Sequence, residues 1–236
     1  MSCSDLIRHE DGDGWFAWVD MDGREYEFYF PHTLNFSFNE IMGFPYGGLM
    51  DAFKWRAYRQ QMDVQKKTCT AFVDNYNRFR ERGVGLYIFS DTSGSGKTFL
   101  ACCIVNEIMK RYNTPARFIS SADYLELERR FEPTDKYRNT TLLVLDDIGA
   151  QADKTEFQRE AIFRLIDHRY KDRLPTIYTS NLSFMGHKDN DRVFSRIYER
   201  SIAVKMPEES IREKKADRMR SEFLASIGLS AEGRLK

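Results

Sequence analysis

The stretch SDTSGSGKTFLA, Ser90–Ala101, puts a lysine and a threonine at the end of a small Gly/Ser loop. An apolar run precedes it and a helix-forming run follows. A loop of the pattern G-x-x-x-x-G-K-[ST] in that setting cradles phosphate. Its glycines let backbone N–H groups approach, its lysine reaches the β- and γ-phosphates, and its hydroxyl holds Mg²⁺. Gly96, Lys97 and Thr98 fit the pattern, and Ser93, Gly94, Ser95 and Phe99 complete the loop and the first helical turn. Asp91 stands where the pattern has its first glycine. Aspartate tolerates the left-handed backbone better than most residues, but its charge must point away from a triphosphate. An incidental Ser/Gly turn is the bland alternative.

Further along, TLLVLDDIGA (141–150) runs an apolar strand directly into Asp146 and Asp147. The C-terminal ends of strands are where open α/β sheets bind ligands. One carboxylate there can hold the Mg²⁺ of a nucleotide and its neighbour can orient or deprotonate a water. PTIYTSN (175–181) ends another strand on Thr179, Ser180 and Asn181; an amide there can position a γ-phosphate or a water, although Ser-Asn is also ordinary turn chemistry. In DRVFSRIYERS, Arg192, Arg196 and Arg200 fall four apart on one helical face. They are a solvated stripe, or they include an arginine that reaches the phosphate of a neighbouring subunit.

The elements that must position these residues follow from the apolar pattern. GLYIFS (85–90), ARFIS (116–120), TLLVLDD (141–147), PTIYTS (175–180) and SIAVKM (201–206) are short strand-like runs. Between them, Leu100, Ile104 and Ile108 share one helical face, as do Phe157, Ala161 and Leu165, and Ile162, Ile166 and Tyr170. Such alternation predicts an α/β fold with a five-stranded parallel sheet between helices. Before it, WFAWVDMDGREYEFYF (15–30) alternates around Asp22-Gly23, a hairpin signal. We divide the chain into a small β-containing module at 1–50, a helical connection at 51–82, a nucleotide-binding domain at 83–227 and a flexible tail at 228–236.

Composition excludes several classes. Lys+Arg and Asp+Glu both number 36 in a chain of 236 residues, so no global basic field announces nucleic acid, and any such contact is local. Cys3, Cys69, Cys102 and Cys103 form no C-x-x-C pair, which argues against structural zinc and for buried thiols in a reducing compartment. With no apolar leader and no long apolar run, no membrane association and a cytoplasmic location, in a bacterial or phage-infected cell, are expected. Trp15, Phe16, Trp18, Tyr26, Phe28, Tyr29 and Phe30 are expected mainly to be the core of a small sheet, with protein docking as the exposed role; stacking on single-stranded DNA is the alternative. FKWRAYRQQ (53–61) reads as an amphipathic helix or a contact for DNA or a partner.

The order SGSGKTFLA, LLVLDDIGA, PTIYTSNL, DRVFSRIYER, EESIR resembles the AAA+ ATPases of the DnaC/DnaI helicase-loader and IstB transposition-helper clade, and most resembles the loader-type replication proteins of phages and prophages. The likeness covers about residues 55–222. It implies a P-loop core with a minimal C-terminal helical element, and ATP and Mg²⁺ as cofactors. In its terms Lys97 and Thr98 are the Walker A pair, Asp146 and Asp147 the Walker B pair, and Asn181 is sensor 1. Arg196 is the arginine finger, with Arg192 in reserve, and Arg212 falls at sensor 2. Loaders of this type often carry a cysteine-rich zinc module near the N-terminus, which this chain lacks.

The expected function is therefore ATP-dependent helicase loading. Thr98 and Asp146 hold Mg²⁺, Asp147 and Asn181 orient water, and Arg196 acts in trans in a homo-oligomer. The partners are a replicative DnaB-type helicase and single-stranded DNA. A transposase-assisting ATPase shares every site residue. A P-loop small-molecule kinase and a nucleotide-gated scaffold are readings of a different class, the latter motivated by Asp91.

Overall fold

The computed structural model describes residues 7–11, 14–21, 24–31, 45, 48–149, 155–183 and 192–227. Near the N-terminus, β1 (Ile7–Asp11), β2 (Gly14–Met21) and β3 (Arg24–Pro31) form an antiparallel sheet in that order. Met21 pairs with Arg24 and Asp20 with Glu25, the register that a two-residue hairpin link imposes. Asp22 and Gly23 themselves lie outside the described residues, as do Cys3 and the tail 228–236.

The second sheet holds β4 (Gly85–Phe89), β5 (Ala116–Ser120), β6 (Leu142–Ile148), β7 (Thr176–Ser180) and β8 (Ser201–Lys205). All pairings are parallel and the order is β5-β6-β7-β4-β8. The strand containing the residues before the Gly/Ser loop is thus interior. β4 and β7 are buried along their whole length, which explains why they read as continuous apolar or small runs rather than as alternating ones.

Alternation along each strand still decides which layer a residue joins. Leu86, Ile88, Leu142, Val144 and Ile177 face one core, with Leu100, Ile104 and Ile108 of α3 (Lys97–Tyr112). α1 (Asp63–Asp74) and α2 (Tyr76–Arg82) add Cys69, Phe72, Val73 and Tyr76 to it. Tyr87, Phe89, Leu143, Leu145 and Tyr178 face the other core. There they meet Tyr124 and Leu125 of α4 (Ser121–Arg129), Ala161, Ile162, Leu165 and Ile166 of α6 (Glu156–Lys171), and Phe194 and Ile197 of α7 (Arg192–Glu199). Each buried Leu, Ile, Val or Phe among them contributes about 1.5–3 kcal/mol, so the two cores hold the sheet between its helices. Cys102 and Cys103 are both buried free thiols on α3.

Helix ends follow local chemistry. Thr155 and Gln158 form a reciprocal capping box at the start of α6, satisfying two otherwise orphaned N–H groups. Ser120 caps α4, Ser210 caps α8 (Ile211–Ser226), and the short α5 (Asp135–Asn139) links α4 to β6. Three expectations change. Segment 53–61 is not an amphipathic helix: a single 3₁₀ turn at Trp55–Ala57 interrupts an extended path, because Phe53 and Tyr58 are drawn down onto the Gly/Ser loop. Phe157 is exposed, at the first turn of α6 rather than in the core. Arg200 lies just beyond α7 and donates to Arg82 O at 2.8 Å. Among the described residues no helix is long and apolar enough to cross a membrane.

Candidate functional site

β4 ends at Phe89 and α3 begins at Lys97, so the loop between them turns back over the C-terminal edge of the sheet. Gly94 and Gly96 make that path possible, at φ +74° and +92°. A Cβ on Gly94 would lie 2.7 Å from Ser210 Oγ, and one on Gly96 would lie 2.6 Å from Tyr58 Oη. Both glycines are thus required by backbone angle and by space. Asp91 is not among the residues with positive φ. It sits exposed at the mouth of the loop, in backbone geometry open to any residue.

Lys97 is 8% exposed. Its Nζ donates to Thr92 O (3.0 Å), Ser95 Oγ (3.3 Å), Ser90 O (3.4 Å) and Asn181 Oδ1 (2.8 Å). The Asn181 amide donates in turn to Asp147 Oδ1 at 3.1 Å. Thr98 Oγ1 donates to Asp146 Oδ1 at 2.9 Å. Five residues, from the first turn of α3 and the ends of β6 and β7, therefore meet in one place. Burial lowers the pKa of Lys97, against which the carboxylates of Asp147 and Asp146 act. Burial likewise raises that of Asp146, partly offset by hydrogen bonds from Thr179 and Thr98. A bound cation and bound phosphate would relieve both penalties.

The cleft around this group has a volume of about 690 Å³. Ser93, Gly94, Ser95 and Gly96 form its floor. Arg212, in the first turn of α8, lines it, because the N–H groups of Ile211 and Arg212 donate to Gly94 O at 3.0 and 3.3 Å. Part of its lining is apolar: Ala52, Phe53, Ala57, Phe99 and Ile211. Phe53 stacks on Tyr58 (6.1 Å between centroids) and on Phe99 (5.9 Å). Tyr58 Oη donates to Ser95 O at 2.7 Å, and Lys214 Nζ donates to Ala57 O at 3.0 Å. The connecting segment is therefore strapped across the loop.

Arg196 does not line this cleft. Its Nε stands 3.3 Å from Asp167 Oδ1 and its guanidinium lies 4.7 Å above the Tyr170 ring. Arg192 stacks on Phe163 at 4.5 Å. A second cavity of about 670 Å³, lined by Arg59, Lys205, Glu208, Glu213, Lys214 and Asp217 among others, has no glycine floor.

Chemically the cleft fits a nucleoside triphosphate with Mg²⁺. The hydroxyl of Thr98 and the carboxylate of Asp146 are hard oxygen donors, the set Mg²⁺ prefers. The N–H-rich loop at the α3 N-terminus, Lys97 and Arg212 suit phosphates, and the apolar lining suits a base. Sequence reasoning missed Tyr58, Phe53 and the hydroxyl of Thr179. An aromatic in a basic segment carries no sign of its destination, and in the sequence Thr179 is only a polar residue at a strand end.

Comparison with known proteins agrees. A family profile described as IstB-like ATP binding protein matches residues 52–218. The replicative helicase loader DnaI of Bacillus subtilis is 32% identical over 137 residues, covering 52% of this chain and 43% of that protein. The replicative helicase loader DnaC of Escherichia coli K12 is 29% identical over 151 residues, covering 59% and 60%. The chain thus spans less than two thirds of these relatives. The crystal structure of the DnaC helicase loader superposes with a TM-score of 0.58 at 26% identity, over 68% of this chain and 97% of that one. The DnaI crystal structure gives 0.58 at 21%, over 73% and 95%, a likeness of fold. With its parallel sheet, Gly/Ser loop and acid pair, the chain belongs to the IstB-like ATP-binding family, in the DnaC/DnaI/IstB clade of AAA+ ATPases.

Proposed function

We propose that this chain is an ATPase that loads a replicative helicase of the DnaB type onto single-stranded DNA, in the cytoplasm of a bacterial or phage-infected cell. The observation that carries the reading is the convergence of Lys97, Thr98, Asp146, Asp147 and Asn181 in one cleft, in a chain with helicase loaders among its relatives. In the reaction, a water attacks the γ-phosphorus in line as the bond to the β–γ bridging oxygen breaks and ADP leaves. Asp147 orients the water and accepts its proton, and Asn181 holds Asp147 in place. Lys97 and Arg212 face the phosphate oxygens. Thr98 and Asp146 would hold Mg²⁺, which when bound would neutralise phosphate charge.

Arg196 acts on the cleft of a neighbouring copy. Its place outside its own cleft supports that role, and an arginine supplied in trans makes hydrolysis depend on assembly. Contact with single-stranded DNA is assigned to the turn after α4. Phe131 there is 93% exposed at φ +58°, beside Arg129 and Arg130. The turn is held by Phe131 N–H to Glu128 O (3.2 Å) and Glu132 N–H to Leu127 O (3.0 Å), and an aromatic so presented can stack on any base.

The test is co-purification with the replicative helicase, with and without ATP. An ATP-dependent complex supports loading, and its absence sinks it. A second reading is a transposase-assisting ATPase, which would use the same site residues in the same IstB-like ATP-binding domain. ATP-dependent capture of a transposase instead of a helicase would establish that one.

A further inference from the structure

β6 and β7 pair Leu145 with Tyr178 and next pair Ile148 with Ser180. Two residues of β6, Asp146 and Asp147, therefore stand against one residue of β7, Thr179. A bulge of this kind bends its strand and re-aims side chains, and bulges concentrate beside active sites. Asp147 takes up the extra length in the left-handed region, at φ +57°. Such a conformation persists only where the surroundings hold it.

Thr179 fills the notch. Its hydroxyl donates to Asp146 Oδ1 at 2.5 Å and accepts from the Asp147 N–H at 2.9 Å. The residue is 1% exposed, so both bonds are shielded from water. Ser180, the next residue, turns its hydroxyl to the backbone: it donates to Ile148 O at 2.6 Å and accepts from Leu182 N–H at 3.0 Å. Of the two neighbouring hydroxyls, Thr179 binds a carboxylate. Ser121 Oγ completes the clamp, donating to Asp147 O at 2.8 Å.

We propose that Thr179 is a positioning residue for Mg²⁺-dependent ATP hydrolysis. Its hydroxyl locks the bulge, so that Asp146 presents its carboxylate to the cation and Asp147 presents its own to the water. Thr179 acts through these two residues rather than on nucleotide. The proposal rests on the ATPase reading above.

Equilibrium binding of a fluorescent ATP analogue to the full chain, in Mg²⁺ and in EDTA, separates positioning from folding. Thr179→Val keeps the shape and removes the hydroxyl. Its affinity in EDTA stays within about twofold of wild type, while the affinity gained from Mg²⁺ falls about 10- to 100-fold, as for other groups that orient metal-ligating carboxylates. kcat at saturating Mg²⁺ and ATP falls by a similar factor, and KM for Mg²⁺-ATP rises with the lost affinity. Thr179→Ser recovers most of both. A valine variant with wild-type Mg²⁺ response and kcat overturns the proposal, and so does equal loss of affinity in EDTA and Mg²⁺. If the valine variant does not fold, Thr179→Ala against Thr179→Ser is read in the same way. A wild type that binds nucleotide with Mg²⁺ yet hydrolyses none sinks the ATPase reading instead, and the Mg²⁺ response then decides whether Thr179 orients Asp146.

Discussion

Two buried cations sit at opposite edges of the parallel sheet. Lys97, at the C-terminal edge, is surrounded by groups that can change partners: an amide, a hydroxyl and loop carbonyls, with two carboxylates close by. Arg169, 1% exposed at the N-terminal edge, is fully spent. Its guanidinium donates to the carbonyls of Tyr137 (3.0 Å), Arg138 (3.0 Å), Thr140 (2.8 Å) and Pro175 (2.8 Å), and to Thr176 Oγ1 (2.8 Å). Planar geometry lets Arg169 staple two backbone segments, 137–140 and 175–176, to its own helix at once, whereas a lysine ammonium is a compact charge on a flexible stem. Burial alone therefore does not mark function. What distinguishes Lys97 is a cleft beside it and partners that a phosphate can replace.

The largest effect tests a third cation, one that belongs to neither edge. Arg196→Ala should leave ATP affinity unchanged and cut hydrolysis by about 1,000-fold or more, the usual worth of an arginine finger. Steady-state phosphate release alongside nucleotide binding measures it. Unchanged hydrolysis would pass the role to Arg192 or remove it.

Next comes Arg169. Replacing it with Met strands four carbonyls, two of them on the buried residues Thr140 and Pro175, where each costs about 1–3 kcal/mol when left without a donor. We expect a loss of roughly 3 kcal/mol or more, or about 6–12 °C in melting temperature. Nucleotide affinity of the folded fraction should be unchanged. Lys97→Ala should give the mirror image: ATP affinity falls roughly 100-fold, the scale of a lost charge-assisted contact, while the melting temperature holds or rises. If Arg169→Met weakened ATP binding in the folded protein, or Lys97→Ala unfolded it, the division between staple and site would collapse.

A smaller effect concerns an anion treated like Arg169. Glu128 accepts from Thr134 Oγ1 (2.7 Å), Tyr124 Oη (2.9 Å) and Arg138 Nη2 (3.2 Å). Burial raises its pKa, but these bonds together hold it below the ordinary carboxylate value. Its folded pKa therefore lies beneath the unfolded one, so its stabilisation is present above the unfolded value and is lost as pH falls through the folded one. Glu128→Gln should melt about 2–4 °C below wild type at neutral pH, for roughly 1 kcal/mol. Thermal scans down to acidic pH should show that gap closing.

The smallest effect is at Asp91. Because its backbone has no need of glycine, Asp91→Gly should alter ATP affinity by less than about twofold. A larger gain would mean that the carboxylate, and not the backbone, handicaps the loop.

Much of this arrangement was legible in the chain. The runs GLYIF, ARFIS and TIYTS became β4, β5 and β7 because apolar, β-branched or aromatic runs of that length, bounded by polar turns, have few other ways to be buried. Lys97 and Thr98 were placed by the local rule that a Gly/Ser loop between a strand and a helix turns N–H groups outward. Asp146 and Asp147 were placed by the rule that a parallel strand's C-terminal end faces the ligand edge. The helix reading of segment 53–61 fails, since its periodicity matches a helix and nothing within it reveals that Phe53 and Tyr58 are drawn onto the Gly/Ser loop.

Sequence by itself thus determined the parallel sheet, the layers that cover it and the identity of the loop and the acid pair, because each depends on residues close together in the chain. Only the tertiary structure decided that Asp91 keeps an ordinary backbone and that Arg212 lines the cleft from the far end of the chain. It alone set the bulge that places the Thr179 hydroxyl against Asp146, 33 residues away. It also made Arg169 a staple although it looks like any arginine on a polar helix. These are matters of crossing strands and register, where a hydrogen bond of under 3 Å depends on the path of the whole chain between its partners.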